Sequence, residues 1–137
     1  MAIVTSLTYP VKYSDVVKYE QLPEMAWCRE RVVALEGSAK TYAIGTVLGR
    51  ITASGKYKIQ DAASVDGSEV AAVVVAEDKA IPATTDTSVL AFVRGDMILN
   101  KALLVVGAGT DTAPELQAVY DALAAKRILV NTGLAIA

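Results

Sequence analysis

The sequence of 137 residues contains no histidine and one cysteine, Cys28. Without histidine, the chain lacks the commonest general base, the commonest zinc ligand and the usual activating partner of a nucleophilic serine or cysteine. A single cysteine cannot form an internal disulfide. We therefore expect no catalytic residue, no metal and no cofactor, and we interpret Cys28 as a small buried apolar side chain.

Positive charge is also scarce. The chain has 13 Lys and Arg against 15 Asp and Glu, a net charge of −2. Because the basic residues are scattered and form no stripe with aromatic residues, we expect no nucleic-acid partner. The longest apolar runs, residues 70–76 and 102–108, are strand-sized and far short of the roughly 18 residues of a membrane span. No signal peptide is recognisable, so we expect synthesis in the cytoplasm and no membrane partner.

Apolar residues, in contrast, are abundant. They make up 53% of the chain, and the mean hydropathy is +0.39. A chain of this length can form one domain with a substantial core. The composition therefore indicates either an unusually complete core or an apolar surface that meets another chain.

Residues 1–28 differ from the rest of the chain. They hold half of the tyrosines, the only tryptophan and two of the four prolines, Pro10 and Pro23. Their apolar residues follow no sustained period, and disordered tails are depleted in aromatic residues. We predict an extended N-terminal arm (1–28) that docks on a partner, followed by a β-rich domain (29–137). Removal of residues 2–20 is expected to leave that domain folded.

Short apolar runs separated by turn signals predict strands after residue 28. The runs are residues 31–35, 45–52, 56–60, 69–76, 88–94, 97–99 and 101–106. The run at 69–76 is almost wholly apolar, which is typical of a strand buried on both faces. Strands at this spacing indicate a small β-barrel or sandwich. Helical spacing predicts one short α-helix at 113–126, begun by the capping box Thr112–Glu115, and a final strand follows within 127–136.

Glycines mark the predicted turns. The structural turn candidates are Gly45, Gly49, Gly55, Gly67 and Gly95. We expect positive φ at Gly55 and Gly67, because tight hairpins require it. The tripeptide at 94–96 matches the one that integrins recognise, but we interpret it as a hairpin turn between two strands.

A Gly-x-Gly turn after an apolar run, at Gly107 and Gly109, is similar to the start of a dinucleotide-binding site. That fingerprint needs a third glycine, where this chain has Thr112, and an acidic residue on a later strand. We interpret the segment as a turn before the helix. A small β-barrel ligand-binding protein or enzyme that uses this turn is kept as an alternative function.

Two consecutive segments carry a family resemblance. The stretch GTVLGRITASGKY (45–57), followed by DGSEVAAVVV (66–75), resembles the lambda-type bacteriophage head decoration proteins, also called capsid-stabilising or cementing proteins. In that family a Gly-x-Val-Leu-Gly strand precedes a Ser-Gly-Lys-Tyr turn, and an Asp-Gly turn leads into a strand rich in alanine and valine. The resemblance covers roughly residues 29–106.

The resemblance implies a fold and a function. The fold would be mainly β, a small β-clip (β-tulip) or jelly-roll-like barrel with one short helix near the C-terminus. The protein would bind the major capsid protein on the outer surface of a tailed-phage head and stabilise the expanded lattice, as a homotrimer or, given the long arm, a dimer. The capsid-contact candidates are Ile3, Leu7, Tyr9, Val11 and Tyr13. Another oligomeric component of the virion, from tail or baseplate, is the remaining alternative.

Overall fold

The computed structural model describes residues 11–131. This part of the chain is mainly β, as predicted. Its elements are α1 (Tyr13–Val16), β1 (Val17–Glu20), a 3-10 turn (Pro23–Met25), β2 (Arg29–Ala34), β3 (Lys40–Tyr42), β4 (Val47–Arg50), β5 (Tyr57–Ile59), β6 (Ala71–Val75), β7 (Lys79–Ile81), β8 (Thr87–Phe92), β9 (Met97–Asn100), a second 3-10 turn (Lys101–Leu103), α2 (Ala113–Ala124) and β10 (Ile128–Asn131).

Five strands form a closed barrel in the order β2-β5-β4-β6-β8. The longest pairing joins β2 and β8 antiparallel, from Arg29 opposite Phe92 to Ala34 opposite Thr87. The barrel closes where Ala34 pairs with Tyr57 in parallel. A separate two-stranded ribbon joins β3 and β7. Closure leaves few unpaired strand edges, which is how small β-proteins avoid edge-to-edge association.

A second sheet of three strands, in the order β1-β9-β10, is attached to the barrel. Strand β1 pairs antiparallel with β9, whereas β9 and β10 are parallel. Parallel neighbours need a crossover connection, and α2 lies in that crossover. The helix has the predicted capping box, with the Thr112 side chain accepting from the Glu115 N–H, and it buries Val119 and Leu123.

The barrel wall separates two apolar cores. On β6, Val73 and Val75 belong to the core inside the barrel, while Val74 belongs to the core between the barrel, the three-stranded sheet and α2. All three side chains are almost fully buried. The prediction that this strand is buried on both faces is therefore confirmed, and it reflects the period-two alternation of a strand with apolar partners on each side.

The predicted strand at 101–106 is wrong. Its first half is the 3-10 turn Lys101–Leu103, begun by the Asn100 side chain, which accepts from the Ala102 N–H. Beyond it, Val105 makes only an isolated parallel bridge with Thr46 and is exposed. A short polar side chain that bonds the backbone two residues further on favours a turn over a strand, whatever the hydropathy of the run.

The hairpin predicted at 94–96 is also wrong. Strand β8, before it, pairs with β2 and β6, and strand β9, after it, pairs with β1 and β10. The segment thus carries the chain from the barrel to the second sheet. Sequence patterns locate a turn without specifying which strands pair across it.

Residues 13–28 do not form an arm that extends from the domain. Strand β1 belongs to the three-stranded sheet, and Val16 and Cys28 are fully buried in the core beside it. Removal of residues 2–20 would delete a sheet strand and a core residue, so we expect it to destabilise the domain rather than to leave it folded. The first ten residues of the predicted arm lie outside the described residues. Short elements of four residues explain why no period was visible here.

The turn glycines fall into two groups. Gly45, Gly55 and Gly67 have φ values of 101°, 73° and 104°. Gly49 and Gly95 have no positive φ and instead permit close backbone approach. Gly49 lies within β4 rather than at a turn, and a Cβ there would collide with the backbone of Ser68.

Gly67→Val should destabilise the protein. A side chain at φ 104° is strained, and its Cβ would collide with Thr52 and lie 2.8 Å from the Arg50 carbonyl oxygen. We expect a loss of about 2 kcal/mol or more and a fall in melting temperature of roughly 5 °C or more. Gly37→Val is the matched control, since nothing lies within 4 Å of a Cβ there. Equal melting temperatures of the two variants would contradict the turn assignment.

Candidate interaction surface

The structure describes two of the five predicted contact residues. Val11 is exposed, whereas Tyr13 is half-buried. The ring of Tyr13 packs edge-on against Phe92, at 5.8 Å between centroids, and its hydroxyl donates to Glu20. Tyr13 therefore contributes mainly to the fold. The other three candidates, Ile3, Leu7 and Tyr9, lie outside the described residues.

A second group of exposed apolar residues lies between β1 and β2. We call residues 22–27 the Trp27 loop. Met25 is 74% exposed and Trp27 is 49% exposed, and Leu22 beside them is also exposed. Large apolar side chains with this exposure, close together, are typical of surfaces that meet another protein.

Two arginines hold the Trp27 loop in place. Arg29 donates through Nη2 to the Pro23 carbonyl oxygen at 2.7 Å and through Nε to the Glu20 carboxylate at 2.8 Å. Arg94 donates to the Trp27 carbonyl oxygen at 2.7 Å, and its guanidinium lies 5.2 Å from the centroid of the Trp27 ring. A cation over an indole face adds to this attachment.

The backbone of the same loop is strained. Leu22 and Ala26 have φ values of 47° and 52°, in the left-handed region that residues other than glycine rarely adopt. Each costs about 1 kcal/mol or more and persists only where its surroundings enforce it. The loop is therefore ordered before any partner binds, with its apolar side chains directed to solvent.

A groove of about 470 Å³ lies on the outer face of the three-stranded sheet. We call it the sheet groove. Its floor is a row of side chains across the sheet, because Ile98 is opposite both Tyr19 on β1 and Leu129 on β10. Ala124, Asp96, Met97 and Arg127 complete the lining. Tyr19 and Leu129 are each about half exposed, so the row is an uncovered apolar surface.

Some charged residues around these two surfaces form ion pairs, whereas others do not. Arg127 forms an ion pair with Asp96 at the groove, which lowers the pKa of the Asp96 carboxyl and raises that of the guanidinium. Both groups are exposed, so the pair adds little to stability. Glu24, in the Trp27 loop, forms no ion pair with any residue between 11 and 131.

The Gly107 turn offers no room for a pyrophosphate. A Cβ at Gly107 would lie 2.6 Å from the Gln60 carbonyl oxygen, and one at Gly109 would collide with the Asp61 carboxylate. Asp61 also accepts from the Gly109 N–H at 3.3 Å. A carboxylate thus occupies the side where a dinucleotide phosphate would need to approach.

The other candidate groups serve the fold. Arg94 pairs with Glu30 and Asp96 pairs with Arg127, so both charged groups of the tripeptide at 94–96 have internal partners. Cys28 is fully buried, and burial raises the pKa of its thiol, which confirms its interpretation as a core residue.

Residues 11–131 contain no cluster of three metal-ligating side chains. No helix in this range has the length and apolarity to cross a membrane.

Comparison with known proteins agrees with the resemblance in the sequence. The model of the family described as bacteriophage lambda head decoration protein D (HDPD) matches residues 6–128. Since that match spans well over half of the chain, the protein belongs to this family. A search of the curated proteins finds no match. The protein is accordingly a structural protein of a phage virion, located at the capsid.

Sequence reasoning missed the sheet groove. The aromatic content of residues 1–28 pointed to Trp27, but nothing indicated that Ile98 and Leu129 lie beside Tyr19 in one row of the groove. Alternation along a strand shows that two faces differ without showing which of them another element covers. The exposed row depends on the pairing of three strands that are far apart in the chain.

Replacement of Arg29 by methionine should destabilise the protein and loosen the Trp27 loop. The change would leave the buried Glu20 carboxylate with only the Tyr13 hydroxyl. We expect a loss of about 2–3 kcal/mol by chemical denaturation, because removing one partner leaves a buried charge uncompensated.

Two further variants test this interpretation. Arg31→Met is the control, because Arg31 forms a more exposed pair with Glu77 at 3.7 Å, worth about 0–1 kcal/mol. Adding Glu20→Gln to Arg29→Met should recover part of the loss. Equal effects of the two arginine substitutions would disprove a special role of Arg29.

Proposed function

We propose that the protein binds the outer surface of its phage head, contacts the major capsid protein and stabilises the expanded lattice. The observation that carries this proposal is the family match over residues 6–128. The exposed apolar side chains near the start of the described chain support it, since they are available for contact with another protein.

Stabilisation follows from linkage. A protein that binds the expanded lattice, but not its precursor or free subunits, shifts the equilibrium towards the lattice. Individual contacts can be weak. When one copy contacts several shell subunits, its overall affinity exceeds that of any single contact. After the first contact forms, each further contact is intramolecular and therefore has a high effective concentration.

The attachment is assigned to the first residues of the chain, with Ile3, Leu7, Tyr9 and Val11 as the contacting side chains. Val11 is exposed immediately before α1. Tyr13 and Val16 then fix α1 to the core, so the segment before residue 11 starts from a rigid position. An N-terminal segment can bind by adding a strand to the edge of a neighbouring sheet, where backbone hydrogen bonds supply affinity.

The protein acts as a homo-oligomer, with three copies as the first expectation and two as the alternative. The high apolar content, 53% of all residues, supports a further interface. The alternative of a ligand-binding barrel that uses the Gly107 turn has no comparable support, because Asp61 occupies the approach to that turn.

Deletion of residues 2–10 should abolish or greatly weaken binding to empty expanded heads in a co-sedimentation assay. The deletion spares α1 and β1, so the circular dichroism spectrum and melting temperature should stay unchanged. Val11→Ser should weaken binding by a smaller factor of roughly three to ten, as expected for one apolar contact. Val65→Ser is the matched control, because Val65 is 96% exposed and lies in another loop.

Saturation of the heads by the truncated protein at the wild-type concentration would contradict the role of the first residues. Failure of the full-length protein to bind its own expanded heads would contradict the proposed function. Heads saturated with wild-type protein should also rupture at a higher temperature than bare heads, and an unchanged temperature would contradict the stabilising role.

A further inference from the structure

Each copy of the chain carries a convex apolar surface and a concave one. The convex surface is the Trp27 loop, with Met25 and Trp27 directed to solvent. The concave surface is the sheet groove, with its row of Tyr19, Ile98 and Leu129. Neither is covered by any other part of the chain between residues 11 and 131.

The two surfaces also match in charge. The loop presents Glu24, which has no ion pair among the described residues. At the groove, the Arg127 side chain is 74% exposed and forms its ion pair with Asp96. The next residue back, Lys126, is exposed and forms no ion pair with any residue between 11 and 131. Because Asp96 compensates Arg127, Lys126 next to the groove is the positive charge beside this lining that no ion pair within residues 11–131 compensates, and it is complementary to Glu24 on the loop, which favours this pairing.

We propose that the Trp27 loop of one copy docks in the sheet groove of a second copy. The inference rests on the self-association in the proposed function and names the surface that carries it. It does not depend on attachment to the shell. Met25 and Trp27 cover the apolar row, and Glu24 meets Lys126 and Arg127.

The proposed assembly is closed, as a ring of copies or as a pair that exchanges loops. The loop and groove are different surfaces of the same chain, so a contact between them is heterologous unless two copies exchange loops across a two-fold axis. They are neighbours on each copy, because the Gln21 N–H before the loop donates to the Asp96 carbonyl oxygen at the groove, at 2.9 Å. Each copy can therefore donate a loop and accept another.

Preorganisation favours this contact. The loop is held by Arg29 and Arg94, and its left-handed residues are already in place. A segment that is ordered before binding loses little conformational entropy when it binds. Tryptophan and methionine are also enriched at the centres of protein interfaces, and tryptophan dominates their energies.

Trp27 allows a direct test, since it is the only tryptophan in the chain. With the full-length protein and no heads present, its emission should shift to shorter wavelength and its quenching by acrylamide should fall as concentration rises. Sedimentation equilibrium on the same samples gives the mass of the assembly. Spectral changes should follow the appearance of oligomer.

Substitutions on both surfaces test the contact. Met25→Ser on the loop and Leu129→Glu in the groove should each weaken association roughly tenfold or more, as for residues at the centre of an interface. Val65→Ser should have no effect, and circular dichroism should show all three folded. Glu24→Lys should weaken association at low salt, and Lys126→Glu added to it should restore association.

The outcomes separate the two proposals. A wild-type oligomer that Met25→Ser and Leu129→Glu leave unchanged overturns the loop-and-groove contact and leaves self-association intact. A wild-type protein that stays monomeric at all concentrations overturns both, whereas head binding is measured independently. If Met25→Ser lowers head binding but not association, the loop contacts the shell and the inference fails.

Discussion

The wall between the two cores is the constraint on which the rest of the structure depends. Strand β6 has apolar side chains on both faces, with Val73 and Val75 inside the barrel and Val74 outside it. Neither face can be left in water without losing roughly 1.5–3 kcal/mol per buried side chain. The barrel must therefore be closed on one side, and the three-stranded sheet and α2 must cover the other.

That covering layer determines where the interaction surfaces lie. Met97, Leu99 and Ile128 face the barrel, so the alternate residues Ile98 and Leu129 face outward. The chain enters β2 through the Trp27 loop, which Arg29 and Arg94 hold in place and which the Gln21–Asp96 backbone hydrogen bond joins to the groove. The exposed apolar groups are thus a consequence of how the second core is covered, and they are held on rigid elements, as binding surfaces require.

Much of the fold could be predicted from residue patterns. The apolar run at 69–76 indicated a strand buried on both faces, and the Thr112–Glu115 box began the helix where the structure has it. Residue patterns thus predicted the longer helix and strands, in which apolar residues recur with a clear period. The prediction at 101–106 failed because the Asn100 side chain competes for the backbone, and residues 13–20 were missed because helix and strand there have four residues each.

The sequence by itself determined the class of the protein, its family, its barrel strands and the absence of histidine chemistry. These depend on composition, on local periodicity and on the order of turns, which are all properties of neighbouring residues. Only the tertiary structure decided that Tyr13 and Val16 belong to the core, that β8 and β9 lie in different sheets and that Tyr19, Ile98 and Leu129 form one exposed row. Each of these depends on pairing between distant strands, and alternation along one strand is the same whichever face becomes covered.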